Sequence, residues 1–368
     1  MYTSNFCARV NDFFCIEEWI ANGYDVEYWD LSAFTCHEHL AEFPMHRLVQ
    51  KEVRSKREFE KLVKKYQQYE TLYLTWVNYC WYSSGFYRVI SKYNCDYAFF
   101  DNGLIPPLSS KNMNSLTIKR IVNGIRNHYY HYLSKTSVLK PASFYFRLSE
   151  SFIGVDRTDS KTIKGWCNSG DYERNRNLKK VREDNYIVFL DQYIPYHNDN
   201  ILNGQRQVNA DEYFTSLNRC FAIIEKIYGA PVVIAAHPAA NKYKENNPFN
   251  GRELVYNQTS ELVKGSDMVI AHFTTAVSYV ILNKKKMILL TSQSIKEVRP
   301  QIDSYIVNLA EIVGQNCVNQ DTVKEEELKA FDISEEKYND YKYRYLTNHF
   351  SENMSNFESI INTLEAEG

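Results

Sequence analysis

At 368 residues the chain exceeds one ordinary core, so two domains are expected. Hydrophobic residues make up 44% and aromatics 15%, with 29 Tyr and 20 Phe, which excludes a disordered chain. A formal net charge of -2 supplies no field to gather nucleic acid, so no nucleic-acid partner is expected.

The cysteines are scattered without a CxxC pair, which suits reduced packing residues better than a disulfide framework. The N-terminus carries acidic residues inside its apolar part and lacks a basic start, unlike a secretory signal. No window approaches the ~20 apolar residues of a membrane span. A cytoplasmic protein is expected, with peripheral attachment at the inner face of the membrane as its closest approach to lipid.

In chain order, residues 5 to 22 have helical spacing, Gly23 is a stop, and YDVEYWDLS follows as a strand ending at Asp30. A first strand normally precedes such a helix, and only four residues do here, so that strand is absent, very short or lost from the sequence. Residues 47 to 69 read as a charged helix, TLYLTWVNY as a strand, Ser84 to Tyr93 as a helix, and CDYAFFDNG as a strand closing at Asp101. A helix is expected over about 114 to 133. PASFYFRLSE and KTIKGWCNSGDYERN then carry short strands, with Asp171 in a polar turn, and RNRNLKKVRED, 174 to 184, is a linker.

From Asn185 the alternation restarts. YIVFL is a buried-type strand delivering Asp191 at its carboxyl end, a helix covers about 210 to 228, and an apolar run from Pro231 to Ala236 stops at His237-Pro238. A helix at Ser260 to Gly265, a strand over Met268 to Ala271, the Thr274-Thr275 turn, a short helix and the Met287 strand follow. The acidic, Tyr-rich end reads as helices without a strand. The expected fold class is α/β with two Rossmann-like lobes facing a cleft and C-terminal helices. The expected divisions are 1–180, 181–320 and 321–368, the last packing back across the domains.

In such sheets ligands bind outside the carboxyl ends of strands, so an imidazole and two hydroxyls delivered there suit a phosphate-bearing ligand. Asp191 is the first candidate: position alone leaves open a nucleophile or general base and an Asp that caps its own loop. His237, held extended by Pro238, either hydrogen-bonds a nucleotide or bonds a backbone carbonyl in its loop. Thr274 and Thr275 precede a helix and serve either as caps or as anion ligands. Thr259 looks like an N-cap with Glu261 in the first turn, and lies within reach of the same pocket. His37 and His39 have no His or Cys cluster to complete a site, so no metal is assigned. GxGxxG, P-loop, DxD and GxSxG motifs are all missing from the sequence, which argues against most kinases, dehydrogenases and hydrolases.

FLDQYIPYH, AAHP and NQTSELVKGSDMVIAHFTTAVSYVILNKKKMILL together resemble the nucleotide-binding half of bacterial glycosyltransferases that build capsule and O-antigen. Within those, the likeness is to the retaining β-Kdo transferases, of GT-B fold, that use CMP-Kdo. It covers roughly residues 185 to 295. Bacterial sialyltransferases, also CMP-sugar enzymes, carry an HP pair and later serines that hold the nucleotide phosphate. His237-Pro238 match the pair, and Thr274-Thr275 stand where the serines would be.

The resemblance implies Asp191 as the catalytic nucleophile, with Gln192, His237, Pro238, Thr259, Thr274 and Thr275 on the donor side. It implies a metal-independent enzyme without cofactor, a CMP-sugar donor, and an oligosaccharide or lipid-linked glycan acceptor near Asp30, Asp101 or Asp171. A peripheral inner-membrane assembly complex is the expected setting. Other readings stay open: a UDP-sugar or CDP-polyol donor, an inverting course with an N-terminal carboxylate as base, a silent nucleotide-sugar-binding subunit, and an epimerase.

Overall fold

In the computed structural model, which describes residues 6–34, 47–80, 83–101, 139–149, 158–159, 161–196 and 207–366 with positions 106, 129, 132 and 133, every strand pairing is parallel. The described chain divides into two compact units, one holding residues 6–101, 129–174 and 343–366, the other residues 106 and 175–342. Parallel pairing needs a crossover between strands, and in the second unit helices that alternate with the strands supply it.

The first unit begins with α1 (Ala8–Phe14), α2 (Ile16–Ala21), β1 (Glu27–Asp30) and β2 (Val49–Glu52). It continues with α3 (Lys56–Tyr66), β3 (Leu72–Thr75), α4 (Ser84–Lys92), β4 (Asp96–Phe100), β5 (Phe144–Arg147), β6 (Ile163–Trp166) and α5 (Gly170–Arg176). Its main sheet has the order β3-β4-β5-β6, and β1 pairs with β2. Successive strand side chains face opposite ways. Tyr28, Ala98, Phe100 and Phe146 therefore join Phe13, Phe14 and Trp19 of α1 and α2, while Trp29, Tyr97, Phe99 and Tyr145 join Phe59 and Val63 of α3 and Phe86 and Ile90 of α4.

Two sequence expectations change here. The helical stretch over 5–22 breaks at Cys15, whose φ of 50° is left-handed, into α1 and α2. The expected helix over 47–69 begins only at Lys56, where Ser55 accepts from Glu58 N. The residues before it form β2, because pairing with β1 outweighs their helix propensity. Most of the helix expected over 114–133 lies outside the described residues.

The second unit runs β7 (Ile187–Leu190), α6 (Ala210–Tyr228), β8 (Val232–Ala236), α7 (Lys242–Glu245), β9 (Leu254–Tyr256), α8 (Thr259–Gly265) and β10 (Met268–Ala271). Then come α9 (Val277–Leu282), β11 (Lys286–Thr291), α10 (Gln293–Val298), α11 (Pro300–Val313), β12 (Asn316–Asn319) and α12 (Glu335–Tyr345). The sheet order is β12-β11-β10-β7-β8-β9. The chain starts in the middle, builds outward to β9, then returns past β7 to build the other half, so the order reverses between β7 and β10. β7, β8 and β10 are buried along their whole length.

Helix α6 covers one sheet face. Asn209 caps it by accepting from Asp211 N and Glu212 N, and Gly229, at φ 65°, ends it. Its Leu217, Phe221 and Ile224 pack against Ile187, Phe189 and Ile234, each contributing roughly 1.5–3 kcal/mol by burial.

The C-terminal stretch divides within α12. Residues 321–342 belong to the second unit, and the chain from Tyr343, including α13 (Asn356–Glu365), belongs to the first. A buried polar knot explains the return. Asn168, just beyond β6, donates to Glu173 Oε1 (2.6 Å) and to the carbonyls of Ser351 and Met354, and accepts from the Thr347 and Ser351 hydroxyls. Asn356 bonds both backbone groups of Asn168.

Candidate functional site

Asp191 follows the last residue of β7, and its N–H still bonds Ala235 O (3.1 Å) in the ladder. Its carboxylate is 7% exposed and takes three donors: Tyr193 N (3.0 Å) and Tyr243 OH (3.3 Å) on Oδ1, and His237 N (3.1 Å) on Oδ2. The bond from two residues ahead is the loop-capping role open to any Asp at a strand end. The bond from His237 is more, because it ties the end of β7 to the end of β8. Burial raises the carboxyl from 3.8 to about 6, against the pull of Tyr193, His237 and Tyr243.

Tyr193 occupies the left-handed region at φ 54°, a strained position for a side chain. It is held by its surroundings: its ring lies parallel to His237 with centroids 6.4 Å apart, and edge-on to Tyr243 at 5.1 Å. His237 Nδ1 accepts from Ala239 N (3.2 Å), so the neutral ring carries its proton on Nε2. Pro238 is exposed in the turn that Ala240 N closes on His237 O.

On the other side of the reversal, Gln192 Oε1 accepts from Phe273 N (2.8 Å), tying β7 to the end of β10. Asp191, Gln192 and His237 are therefore brought together at the topological switch point, where open α/β sheets take their ligands. Thr274 and Thr275 follow on the same loop from β10. Thr274 Oγ1 accepts from Ala276 N (3.1 Å), which makes it a turn-former and not the cap of α9, whose N-cap is Ala276. Thr275 is exposed.

Thr259 is the first residue of α8; the N-cap is Gln258, which makes no side-chain cap bond, so the expected capping role of Thr259 is not what the fold gives it. His272 went unnoticed in the sequence, although it ends the same apolar run that delivers the threonines. It is fully buried, donating from Nδ1 to Leu290 O (2.6 Å) and accepting at Nε2 from Tyr213 OH (3.0 Å). Burial holds it down at about 4, so it is neutral.

The first-unit candidates lie at three different elements. Asp30 ends β1 and accepts from Ser32 N (2.7 Å). Asp101, buried just beyond β4, accepts from Tyr145 OH (2.8 Å) and Leu148 N (3.5 Å). Asp171 is in the first turn of α5, not in the expected polar turn, because Ser169, Gly170 and the acidic residues after them start a helix there. Among the described residues no group of three or more His, Cys, Asp or Glu is placed to hold a metal ion, and no helix is long and apolar enough to cross a membrane. His37 and His39 lie outside the described residues.

No family model matches the chain, and no curated protein matches it in sequence. Solved structures do. The UDP-GlcNAc 2-epimerase of Methanocaldococcus jannaschii aligns at 14% identity over 98% of this chain and 96% of its own, with a TM-score of 0.48. An S. aureus MnaA–UDP co-structure aligns at 9% identity over 93% and 95%, with a TM-score of 0.43. The wall teichoic acid polymerase TagF, as its H444N variant, aligns at 12% identity over 96% of this chain and 84% of that one, with a TM-score of 0.51. Together with the two parallel α/β units, that last likeness shows the fold: the chain is built on the two-lobed GT-B plan.

Proposed function

We propose that this protein is a glycosyltransferase that binds a nucleotide-activated sugar at the switch point of its second unit and transfers the sugar to a saccharide acceptor. The observation that carries the proposal is the pair of ties across that point: Asp191 holds the His237 turn and Gln192 holds Phe273. An imidazole and two threonines thereby sit on strand ends fixed relative to one another. Preorganised donors of this kind stabilise a departing phosphate at no reorganisation cost.

The donor class is a CMP-activated ulosonic acid such as CMP-Kdo. CMP leaves as a monophosphate ester, whose charge the Nε2–H of His237 and the hydroxyls of Thr274 and Thr275 would receive. In a retaining course the Asp191 carboxylate attacks the anomeric carbon as the bond to the CMP oxygen breaks. An acceptor hydroxyl then displaces the carboxylate and gives up its proton to a base.

The three donors on Asp191 favour a second reading of that residue. A buried carboxylate with both oxygens engaged is a bracket for the His237 turn, and in an inverting course the base would be a carboxylate of the first unit, such as Asp30 or Asp171. Likewise a UDP-sugar or CDP-polyol donor suits the same fold.

Calorimetric titration with CMP, UDP, CDP, GDP and ADP, with and without EDTA, tests the donor. Selective binding of CMP is expected; a preference for UDP or a metal requirement overturns the donor class, and no binding at all overturns the function. With CMP-Kdo, a sugar adduct on Asp191 seen by intact mass supports the nucleophile, while turnover with inversion assigns Asp191 to positioning. Binding of CMP without turnover would identify a silent subunit. Asp191→Asn should abolish transfer, and His237→Ala should weaken nucleotide binding.

A further inference from the structure

A large aromatic ring is left in water on a rigid turn of the first unit. Phe350 is 55% exposed, forgoing the burial energy its side chain would ordinarily gain. Its turn is nevertheless firmly built. Asn348, itself buried, accepts from Phe350 N and Ser351 N (both 2.9 Å) and donates to Leu148 O (3.2 Å) and Cys167 O (3.1 Å), the residues just beyond β5 and β6. The turn is bolted to the carboxyl ends of two neighbouring strands.

What surrounds Phe350 is equally specific. Trp166, the last residue of β6, stacks with it at 4.6 Å and 13°, and the guanidinium of Arg147, the last residue of β5, lies over the Trp166 ring at 5.5 Å. His349 packs on Tyr343 at 3.9 Å, with Nδ1 3.6 Å from Glu352 Oε1. Tyr172 OH donates to Glu352 O (3.0 Å), which ties α5, carrying Asp171, to the same turn.

We propose that Phe350, backed by Trp166 and flanked by His349, is a stacking platform for a pyranose ring of a glycan. The C–H bonds on one face of a pyranose carry partial positive charge and match the negative face of an aromatic ring. Its hydroxyls need hydrogen-bonding groups around that ring, and His349, whose side chain is 73% exposed, offers one. A rigid turn adds affinity because little ordering remains to be done on binding. Saccharide binding stands on the geometry of the first unit alone; its role as the acceptor site rests on the function proposed above.

Saturation-transfer NMR of the full chain with lactose, chitobiose and maltotriose tests it, with CMP titration run in parallel on each variant. The wild type should bind at least one of the three through ring C–H protons. Phe350→Ala should weaken that binding by about tenfold or more, as loss of one aromatic stack implies. Phe350→Tyr should retain it, and His349→Ala should weaken it less than Phe350→Ala. Because Phe350 is exposed, its truncation opens no cavity, and unchanged thermal stability checks the fold. No signal from the wild type with any of the three sugars, or equal signals from wild type and Phe350→Ala, overturns the platform. Absent CMP binding beside intact saccharide binding counts against the function and not against the platform.

Discussion

At the carboxyl edge of the second sheet, the ties run between strands of one folding unit: Asp191 reaches His237 across 46 residues and Gln192 reaches Phe273 across 81. At the carboxyl edge of the first sheet, the chain leaves, builds the whole second unit and comes back, so that Asn168 meets Ser351 across 183 residues. The first arrangement braces a site from within its own sheet. The second makes one edge depend on the far end of the chain, with a larger loop-closure cost to be met by a dense polar knot.

The contrast breaks most visibly at Asn168. Asn168→Ala strips a buried Glu173 of its 2.6 Å donor and unties Ser351, Met354 and Thr347 together. Losing one charge-assisted hydrogen bond and four neutral ones from a single buried network is expected to cost about 3–5 kcal/mol, read by urea unfolding. Hydrogen exchange should show the loss of protection concentrated in 343–366. A loss spread evenly over both units would mean that the knot is not what holds the return.

The second edge is tested by pH, because two buried groups there titrate in the same window with opposite sign. Asp191 lies at about 6 when folded against 3.8 otherwise, so the folded state takes up the proton first and stability rises as pH falls from about 6 to 4. His272 lies at about 4 against 6.5, so the unfolded state takes up the proton first and stability is lost over nearly the same range. Each is worth about 3 kcal/mol at 1.36 kcal/mol per pK unit. The two nearly cancel in the wild type. Asp191→Asn should therefore fall in stability relative to wild type on going from pH 7 to pH 4, and His272→Gln should rise, as urea midpoints would show. Identical slopes in both variants and wild type would sink the pairing.

A smaller effect compares the two strand-end carboxylates directly. Asp101 holds Tyr145 OH at 2.8 Å but Leu148 N only at 3.5 Å, and neither donor brings a turn with it as His237 does. Asp101→Asn is expected to cost about 1–2 kcal/mol in unfolding free energy without altering nucleotide affinity. A fall in CMP affinity would assign Asp101 a role beyond bracing its own edge.

This difference also explains what the sequence revealed. β7 and β8 are apolar runs closed by Asp191 and His237, so these residues could be read directly, as could Thr274 in the turn that follows the apolar run of β10. Short strands that owe their existence to a neighbour could not: β2, β9 and β12 have mixed or partly exposed patterns and became strands through pairing. His272 was hidden because a buried neutral histidine looks like any other residue at a strand end until Tyr213 and Leu290 O appear beside it. Phe350 was hidden for the opposite reason. Only the return of the chain to the first unit places it on Trp166.

The smallest expected effect separates structure from ligand at the threonines. Thr274 Oγ1 is committed to Ala276 N, so Thr274→Ala should cost about 0.5–1 kcal/mol in unfolding free energy through a loosened turn. Thr275 is exposed, and its carbonyl, not its hydroxyl, accepts from Ser278 N and Oγ, so Thr275→Ala should leave stability within about 0.5 kcal/mol. If the loop from β10 receives a phosphate, the order inverts for binding: Thr275→Ala should weaken CMP more than Thr274→Ala, because only its hydroxyl is free of a turn to maintain. Equal and negligible effects of both substitutions on CMP would leave that loop a brace for the strand ends and shift phosphate recognition to His237.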